Sequence, residues 1–520
     1  MIPLSSITGV FLYLLFPAIF FYINAIFSVP NPKGVRLVRE PVGKSTFSWR
    51  TRLAYLTDCK SLFREAYTKY LKHGQAVVLP GFGLRNELML PSSSLKWALA
   101  QPDRVLSVSE AFCEIDQPLY SLGHMQPILD PWQGNLVRND INAVLENIVA
   151  ALNDELAVAF DTHFGTDTDS WKEIDLMETV RTVVAQAATR FTVGVPLCRN
   201  DQYLKDCFDA IDGCVINAGV VGGTPPFLRP LVGPLAGLKA RLATKRVRQH
   251  FEPLYRERLE TLKYAKDDPG HVEPQDHLQM MLRYAQKERP HELYDLDNIT
   301  ARLIGANFGS MHQTTMQVVN MLLDILGSDT EYNTIAILRD EVSRILGTGT
   351  EWTKAKVSKM TKADSVARET LRCHAFGSRA VLRKVMADGV TTDAGVNLPK
   401  GSLVSFLSHG IHSDESIYED PFKYDPFRFS RIREADTESK TGSMSFVSTG
   451  SSFLPFGHGK HACPGRFLVD FELKMIIAYV LTKYDVKFPV EYGGERPPNR
   501  WMAEVIAPPA GVKVLVKRRI

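Results

Sequence analysis

Apolar residues recur at helical spacing along most of this chain, and they form strand-like runs in only a few places. Apolar positions three or four residues apart predict amphipathic helices, whereas short runs rich in β-branched residues predict strands. The helical pattern covers the ranges 51–72, 138–161, 176–193, 238–265, 297–326 and 365–373. The strand-like runs are 75–79, 380–385, 403–406 and 512–516. The pattern therefore predicts a mainly α fold with a minor β component.

The first apolar run differs from the others because it carries no charged residue from position 7 to position 29. A helix of this length spans about 34 Å at roughly 1.5 Å per residue, which exceeds a bilayer core of about 30 Å. A cleaved signal peptide is the alternative, but no basic segment precedes the run and no small-residue cleavage site follows it. We therefore expect residues 1–29 to be a membrane anchor. Basic residues follow directly, which places the rest of the chain on the cytosolic side.

Proline and glycine residues then mark a linker over residues 30–48, and no internal repeat follows it. Polar segments at 266–276 and 434–452 predict surface loops rather than domain boundaries. We therefore expect residues 49–520 to fold as one domain. The net charge of +3 and the lack of a dense Lys/Arg run argue against nucleic-acid binding.

One cysteine lies in a strongly constrained loop near the C-terminus. Residues 453–467 read FLPFGHGKHACPGRF, and Cys463 forms no Cys-x-x-Cys pair that would indicate a zinc ribbon or a redox dithiol. The glycines permit tight turns, and Pro464 suits the first turn of a helix. Free N–H groups and the positive helix end lower the pKa of a thiol at such a position. The cysteine is a candidate nucleophile or metal ligand, and one thiolate suffices where a haem macrocycle supplies the other ligands.

The spacing around Cys463 resembles the haem-binding loop of the cytochrome P450 family, Phe-x-x-Gly-x-x-x-Cys-x-Gly, here residues 456–465. Two further motifs are similar to those of the family: Glu369-x-x-Arg372 on a predicted helix, and Arg428 in the segment Asp-Pro-Phe-Arg-Phe. Glu and Arg three residues apart share a helix face, and alone they would be an ordinary surface pair. In the family the three residues lock together. The resemblance covers essentially the whole chain, and the loop sequence resembles fungal members that build specialised metabolites.

The resemblance implies haem b as cofactor, with Cys463 as the axial thiolate ligand of its iron. Arg379, His461 and Arg138 match positions that contact the haem propionates, which need cationic or hydrogen-bonding partners. Phe456 matches a ring that lies against the macrocycle and shields the sulfur, and packing in the core would explain it equally well.

The long predicted helix in the middle of the chain is expected to cross the oxygen-binding face. Gly305, Gly309 and Gln313 recur at four-residue spacing and so share one side, although close helix packing would also explain the two glycines. Many family members carry an acid followed by a threonine here, which deliver protons to bound dioxygen. His312 and Gln313 stand in those places, and Thr314 or an ordered water could substitute for the missing alcohol. These three residues are the candidate catalytic residues.

The resemblance implies a haem-thiolate monooxygenase of the endoplasmic reticulum membrane, single-pass, with a cytosolic catalytic domain over residues 49–520. It implies dioxygen as a substrate and electrons from NADPH-cytochrome P450 reductase, which would dock near Lys460 and Lys474. Apolar residues such as Phe376, in segments that line family pockets, favour a hydrophobic small-molecule substrate. Residues 219–237 are rich in Gly, Pro and Leu and are either a contact with membrane lipid or a plain surface loop.

Two alternative functions stay open at this point. The same fold could isomerise, dehydrate or oxidatively couple its substrate without inserting oxygen, and the departure at Gln313 keeps that alternative open. The chain could also be a membrane-tethered haem-binding sensor without catalysis.

Overall fold

The computed structural model describes residues 29–264, 270–347, 349, 351–435 and 444–520. The predicted anchor, residues 1–29, lies outside this part of the chain except for Val29, and it stays a prediction. Within the described ranges we find no helix that combines the length and the apolar content needed to cross a lipid bilayer.

Helices make up most of the described chain, as the apolar spacing predicts. Several begin at a residue whose side chain accepts a hydrogen bond from the N–H group three positions on, including Asp175, Asn200, Asp276 and Asp295. The α-helices are α1 (Trp49–Thr57), α2 (Cys59–Lys69), α3 (Leu95–Ala100), α4 (Val108–Asp116), α5 (Pro118–Ser121), α6 (Gln126–Leu129), α7 (Trp132–Leu136), α8 (Leu145–His163), α9 (Leu176–Thr192), α10 (Asp201–Gly222), α11 (Arg229–Ala236), α12 (Leu238–Thr261), α13 (His277–Glu288), α14 (Pro290–Leu293), α15 (Leu296–Asn307), α16 (Gln313–Tyr332), α17 (Thr334–Leu346), α18 (Lys354–Val357), α19 (Thr361–His374), α20 (Ser408–His412), α21 (Arg428–Ala435) and α22 (Arg466–Lys483).

Strands form a minor component, also as predicted. They are β1 (Arg36–Leu37), β2 (Val77–Pro80), β3 (Asn86–Met89), β4 (Leu106–Ser107), β5 (Lys172–Asp175), β6 (Ala380–Val385), β7 (Val390–Thr391), β8 (Asn397–Leu398), β9 (Leu403–Phe406), β10 (Tyr484–Lys487), β11 (Arg500–Met502), β12 (Val505–Ala507) and β13 (Lys513–Arg518). The largest sheet has the order β1-β2-β3-β9-β6-β4, and a second sheet has the order β10-β13-β5. Two hairpins, β7-β8 and β11-β12, complete the strands of the described residues.

The apolar pattern predicted the helices and strands more accurately than the points at which the helices are interrupted. The helix predicted over 51–72 is divided at Asp58, where the backbone leaves helical geometry. The helix predicted over 297–326 is observed as α15 and α16, which are joined by a π-helical turn over Phe308–His312. We call this segment the distal turn. π turns inside α-helices occur frequently at functional sites.

Two hydrophobic cores organise the described chain, and the cysteine loop lies between them. One core is built from long helices, including α8, α9, α16 and α22, and the other from the six-stranded sheet with α1 and α2. In the loop segment, Phe446 belongs to the helical core and Leu454 to the sheet core, while Phe456 packs against the helical core. The loop is therefore fixed from both sides.

Candidate active site

Cys463 is presented by a tight loop that ends where α22 begins. Its N–H donates to the carbonyl of Phe456 at 2.8 Å, which closes the loop. Gly457 and Gly459 have φ angles of 67° and 73°, a left-handed conformation that strains any residue with a Cβ atom. Cys463 as a residue is half-buried, while its thiol is buried against the N–H groups at the start of α22. This geometry offers one sulfur atom on a rigid backbone frame.

The helix end acts on this thiol in the direction expected from the sequence. The N–H groups of Gly465 and Arg466 lower the pKa of the Cys463 thiol, and so do the charges of Arg466 and Arg138. Burial raises the pKa by more than these groups lower it, so the net shift is upward. The donors are present where they were expected, but they only partly offset the cost of desolvating a thiolate.

Glu369, Arg372 and Arg428 form one buried group, which we call the carboxylate–arginine cluster. Arg372 binds both carboxylate oxygens of Glu369 at 2.7 Å, and Arg428 Nε lies 3.0 Å from Glu369 Oε1. Arg372 also donates to the carbonyls of His412 and Pro421 at 2.6 and 2.9 Å. The cluster therefore joins α19 to the segments on both sides of it, and the ordinary surface pair is ruled out because Glu369 and Arg372 are buried.

A second buried arginine on α19, Arg368, was not identified from the sequence. It donates to the carbonyls of Ser445 and Ser448 at 2.5 and 2.9 Å, and its guanidinium lies 3.7 Å from the ring centroid of Phe453. It thus ties α19 to the start of the cysteine loop. Its position one residue before Glu369 was the available signal, but an arginine on a helix is usually exposed.

Two arginines near the start of β6 have different surroundings. Arg379 pairs with the carboxylates of Glu87 and Glu504. Arg383 is buried, and within the described ranges its guanidinium has one hydrogen bond, to the carbonyl of Leu382 at 2.8 Å. Burial lowers the pKa of Arg383 to about 10. A buried cation without a close carboxylate partner is a better candidate for binding an anionic group than one that already has two.

Arg383 reaches this position because β6 is irregular. The pairing register of β6 with β9 shifts between Ala380 and Arg383, and Val381 has a φ of 55°. Arg383 acts electrostatically on His461, lowering the pKa of that imidazole together with burial. His461 Nε2 lies 3.1 Å from Asp103 Oδ1. Arg383 therefore supplies the positive charge of this region and acts on a neutral His461 imidazole. A fixed count from Glu369 selects Arg379 instead.

The central helix has one open side. Gly309 and Gln313 are exposed, whereas Met311 and Thr314 of the same stretch are buried. A Cβ atom placed at Gly305 or at Gly309 would meet no other atom within 4 Å. Close packing against a neighbouring helix therefore does not explain these glycines. They border open space inside an otherwise buried helix.

The candidate catalytic residues point in different directions. His312 lies parallel to the ring of Phe308 at 5.7 Å and edge-on to Phe376 at 5.4 Å. Burial lowers the pKa of His312, so its imidazole is neutral at pH 7. Thr314 lies on the buried side of the helix, away from the open side on which Gln313 is exposed.

The β11-β12 hairpin holds the segment that carries Phe376. The N–H of Ile506 donates to the carbonyl of Phe376 at 2.9 Å, and Ser378 Oγ donates to the carbonyl of Glu504 at 2.8 Å. The ring of Phe376 is therefore fixed beside the distal turn. It gives the open side of the helix an apolar neighbour.

A cavity of about 120 Å³ lies where the N-terminal linker meets the end of α10. Residues 29–32 and 222–226 share its wall with Glu114 and Arg229. Glu114 pairs with Arg229 at 2.6 Å and with Lys384 at 3.1 Å. The cavity thus adjoins the point where the described chain begins.

The expectation that Lys474 lies on a docking surface is wrong. Lys474 is buried on α22, where it pairs with Asp364 at 2.9 Å and with Asp470 at 2.7 Å. It cannot face a protein partner. Lys460 is exposed, as expected for a docking surface. The sequence contained no sign that the two lysines differ.

Known proteins of similar sequence match most of this chain. The family model for cytochrome P450 matches residues 135–516. The chain is 51% identical over 506 residues to the cytochrome P450 monooxygenase pbrC of Penicillium brasilianum, which covers 96% of this chain and 94% of that protein. It is 50% identical over 505 residues to the cytochrome P450 monooxygenase astC of Aspergillus terreus, covering 95% and 94%.

A third relative extends the match to almost the whole chain. The cytochrome P450 monooxygenase tenB of Beauveria bassiana is 42% identical over 524 residues, which cover 99% of this chain and 97% of that protein. The chain therefore belongs to the cytochrome P450 family, whose members bind haem b through an axial cysteine thiolate.

Proposed function

We propose that this cytochrome P450 oxidises a hydrophobic small molecule, by hydroxylation or further oxidation, as a step in fungal secondary-metabolite biosynthesis. The observation that carries the proposal is the single thiol of Cys463, held by a closed loop against the N–H groups of α22. The three similar fungal monooxygenases support the reaction class and the biological setting.

The residues at the site fit haem b. Cys463 is the proposed iron ligand, and the N–H groups of Gly465 and Arg466 would stabilise its thiolate. Phe456 would lie against the macrocycle beside the sulfur. When bound, haem supplies the redox chemistry that activates dioxygen. The chain's part is to hold the cofactor, orient the substrate and exclude water.

Cations near the loop would bind the two propionates. Arg138 donates to the carbonyl of Ala462 at 3.3 Å, and within the described chain it has no ion-pair partner. Arg383 supplies the second positive charge, and the neutral imidazole of His461 could donate a hydrogen bond beside it. Arg383 thus joins the contacts expected from the sequence. Arg379 would have to exchange an existing carboxylate for a propionate, so we rank its contribution below that of Arg383.

The open side of the central helix is the proposed substrate face. Gln313 offers an amide with separate donor and acceptor ends, which can hold a water molecule or touch the substrate directly. Phe376 supplies an apolar wall. His312 is neutral and lies between this wall and the helices behind the distal turn, and it is the proposed proton carrier in place of the usual acid.

Membrane contact is proposed for two parts of the chain. Residues 1–29 would anchor the protein, and the electrons would come from NADPH-cytochrome P450 reductase at the endoplasmic reticulum. The second part is the predicted lipid contact over residues 219–237. Exposed apolar side chains in and beside it support this contact; they are Val220, Phe227, Leu231, Leu235, Leu238 and Leu242. Deletion of residues 1–29 should shift the protein toward the soluble fraction and leave haem binding intact. Loss of haem from a folded, soluble product would show instead that the segment belongs to the core.

Replacement of the proposed ligand tests the central assignment. Cys463→Ser should abolish the characteristic absorption of the reduced carbon monoxide complex, together with all NADPH-dependent turnover. Cys214→Ser is the matched control, because Cys214 is also a half-buried residue but lies on α10. Retention of the absorption band and of turnover by Cys463→Ser would end the proposal.

Product analysis separates the proposed reaction from the alternatives. The purified enzyme with its reductase should incorporate one atom of oxygen-18 from labelled dioxygen into product and consume NADPH in proportion. Conversion without label would favour isomerisation, dehydration or coupling. Absence of any spectral change with substrate and of any NADPH consumption would favour a haem-binding sensor.

A further inference from the structure

Two buried polar atoms at the distal turn have no hydrogen-bond partner in the described part of the chain. They are Oδ1 of Asn307 and Nδ1 of His312. The amide nitrogen of Asn307 makes a contact of 3.6 Å with the sulfur of Cys207 on α10. Buried polar atoms in native proteins are almost always satisfied, by protein or by ordered water. The turn therefore lies where buried water is expected, on the side that faces α9 and α10.

An ion pair joins the two helices behind this turn. Arg181 on α9 and Asp212 on α10 approach to 2.7 Å, and the guanidinium of Arg181 lies 4.0 Å from the ring centroid of Phe208. Their side chains are 25% and 33% exposed, so solvent reaches both. The distal turn packs against both helices. The pair thus lies between bulk water and the back of the turn.

The pair is close enough to act on His312. The Asp212 carboxylate raises the pKa of the His312 imidazole and the Arg181 guanidinium lowers it, while burial has the largest effect and lowers it. Phe308 and Phe376 cover the ring on its other sides. Asp212 and Arg181 are therefore the charged groups that face His312 from the helices packed behind it.

We infer that Asp212, oriented by Arg181, connects solvent to His312 and so positions the proton supply of the reaction. This inference rests on the proposed function. Oxidation of a C–H bond by dioxygen consumes two electrons and two protons, inserts one oxygen atom and releases the other as water. The electrons come from the reductase and the protons from solvent. Water held by Asp212 passes a proton from solvent to one nitrogen of His312, and the ring releases a proton from its other nitrogen toward the open side.

The test measures proton supply without a known substrate. The rate at which the holoenzyme and its reductase consume NADPH without substrate is compared in H₂O and D₂O. Asp212→Asn should lower this rate by about tenfold, less than the 10²–10⁴-fold effect of a group that transfers the proton itself. The solvent isotope effect should rise above that of the wild type. Asp212→Glu should restore both toward the wild-type values.

Asp209→Asn is the matched control. Asp209 lies on the same helix, is also 33% exposed and also pairs with basic residues, at 3.2 Å from Arg246 and 3.6 Å from Lys239. Its replacement should change neither the rate nor the isotope effect. Equal slowing by both substitutions would show that loss of an ion pair on α10 weakens the fold, and it would overturn the inference. No slowing by Asp212→Asn would overturn it as well.

A crystal structure supplies a readout that does not depend on turnover. Ordered water should connect Nδ1 of His312 with the Arg181–Asp212 pair, and it should be displaced or lost in Asp212→Asn. A dry, apolar gap between the ring and the pair would contradict the inference even if the variant is slow. If the wild type consumes no NADPH without substrate, the crystallographic result alone decides whether the connection exists, and the oxygen-18 experiment decides the proposed function.

Discussion

Buried polar groups have several hydrogen-bond partners in the carboxylate–arginine cluster, whereas some at the distal turn have none among the described residues. In the cluster, Glu369 accepts from two arginines, and Arg372 also binds two backbone carbonyls. At the distal turn, Asn307 and His312 each leave a buried polar atom without a partner among the described residues. An unsatisfied buried group costs about 1–3 kcal/mol. The molecule therefore has a rigid, fully paired cluster beside the cysteine loop and buried, unpaired polar atoms on the opposite side of the site.

Breaking the cluster should have the largest effect. Glu369→Gln leaves two buried arginines without a carboxylate, and removal of one partner from a buried ion pair costs about 3–5 kcal/mol. We expect a matching fall in the free energy of urea unfolding and loss of the haem-thiolate spectrum. Asp340→Asn, which removes an exposed pair with Arg344, should stay within about 1 kcal/mol of the wild type. Equal effects of the two substitutions would contradict the comparison.

Glu472 lies near the rigid side of the site, but unlike the carboxylate–arginine cluster it is not fully paired. Its ionisation should make the free energy of unfolding depend on pH. It is buried on α22, its Oε1 has no partner in the described chain, and burial raises its pKa to about 8. Because the folded pKa lies above the unfolded value of 4.5, the folded state retains the proton, and stability falls as pH rises from about 4.5 to about 8. The loss by pH 7 is on the order of 3 kcal/mol.

Glu472→Gln checks this prediction directly. The neutral amide should flatten that part of the pH profile, so the variant gains stability relative to the wild type at pH 7.5 and gains little at pH 4.5. Urea unfolding at the two pH values measures the difference. A gain of the same size at both values would show that packing, and not ionisation, is responsible.

Gln313→Ala should affect the distal side without unfolding it. If the amide orients the water molecule that delivers the proton at the site, while the supply from solvent through His312 stays intact, NADPH consumption should persist. Product should then fall by about 10²-fold, the low end for one acid–base group, and peroxide should rise. If the amide instead recognises the substrate, binding should weaken and coupling should hardly change. Should neither quantity move, Gln313 only fills space, and proton supply depends on His312.

The smallest effect should come from Gly309→Ala. A methyl group there meets no atom within 4 Å, so the variant should gain up to about 1 kcal/mol from the better helix propensity of alanine. Gly213→Ala is the contrasting control, because its Cβ atom would lie 2.6 Å from the backbone nitrogen of Ala240. Urea unfolding should show stabilisation by the first and destabilisation by the second. Destabilisation by both substitutions would mean that other atoms occupy the space beside Gly309.

Regular patterns in the sequence were predictive, and local irregularities were not. The strands over 380–385 and 403–406 have the predicted bounds because an apolar run ends where a strand ends. The π turn was missed because one extra residue per turn barely changes apolar spacing. The burial of Arg383, a proposed propionate contact, could not be predicted because a register shift in β6 is invisible in composition. Lys474 was misplaced because a lysine looks the same in sequence whether it pairs inside the core or faces solvent.

The shared wall of residues 29–32 and 222–226 has a consequence for attachment to a lipid surface. The proposed anchor leaves the described chain at the same cavity that borders the segment leading into α11, whose exposed leucines are the second proposed lipid contact. The proposed anchor would hold the protein at the membrane, and it would raise the effective concentration of the weaker second contact at the lipid surface. Residues 29–32 are short enough to keep that concentration high. The two contacts together would therefore fix the tilt of the protein, which neither could set alone.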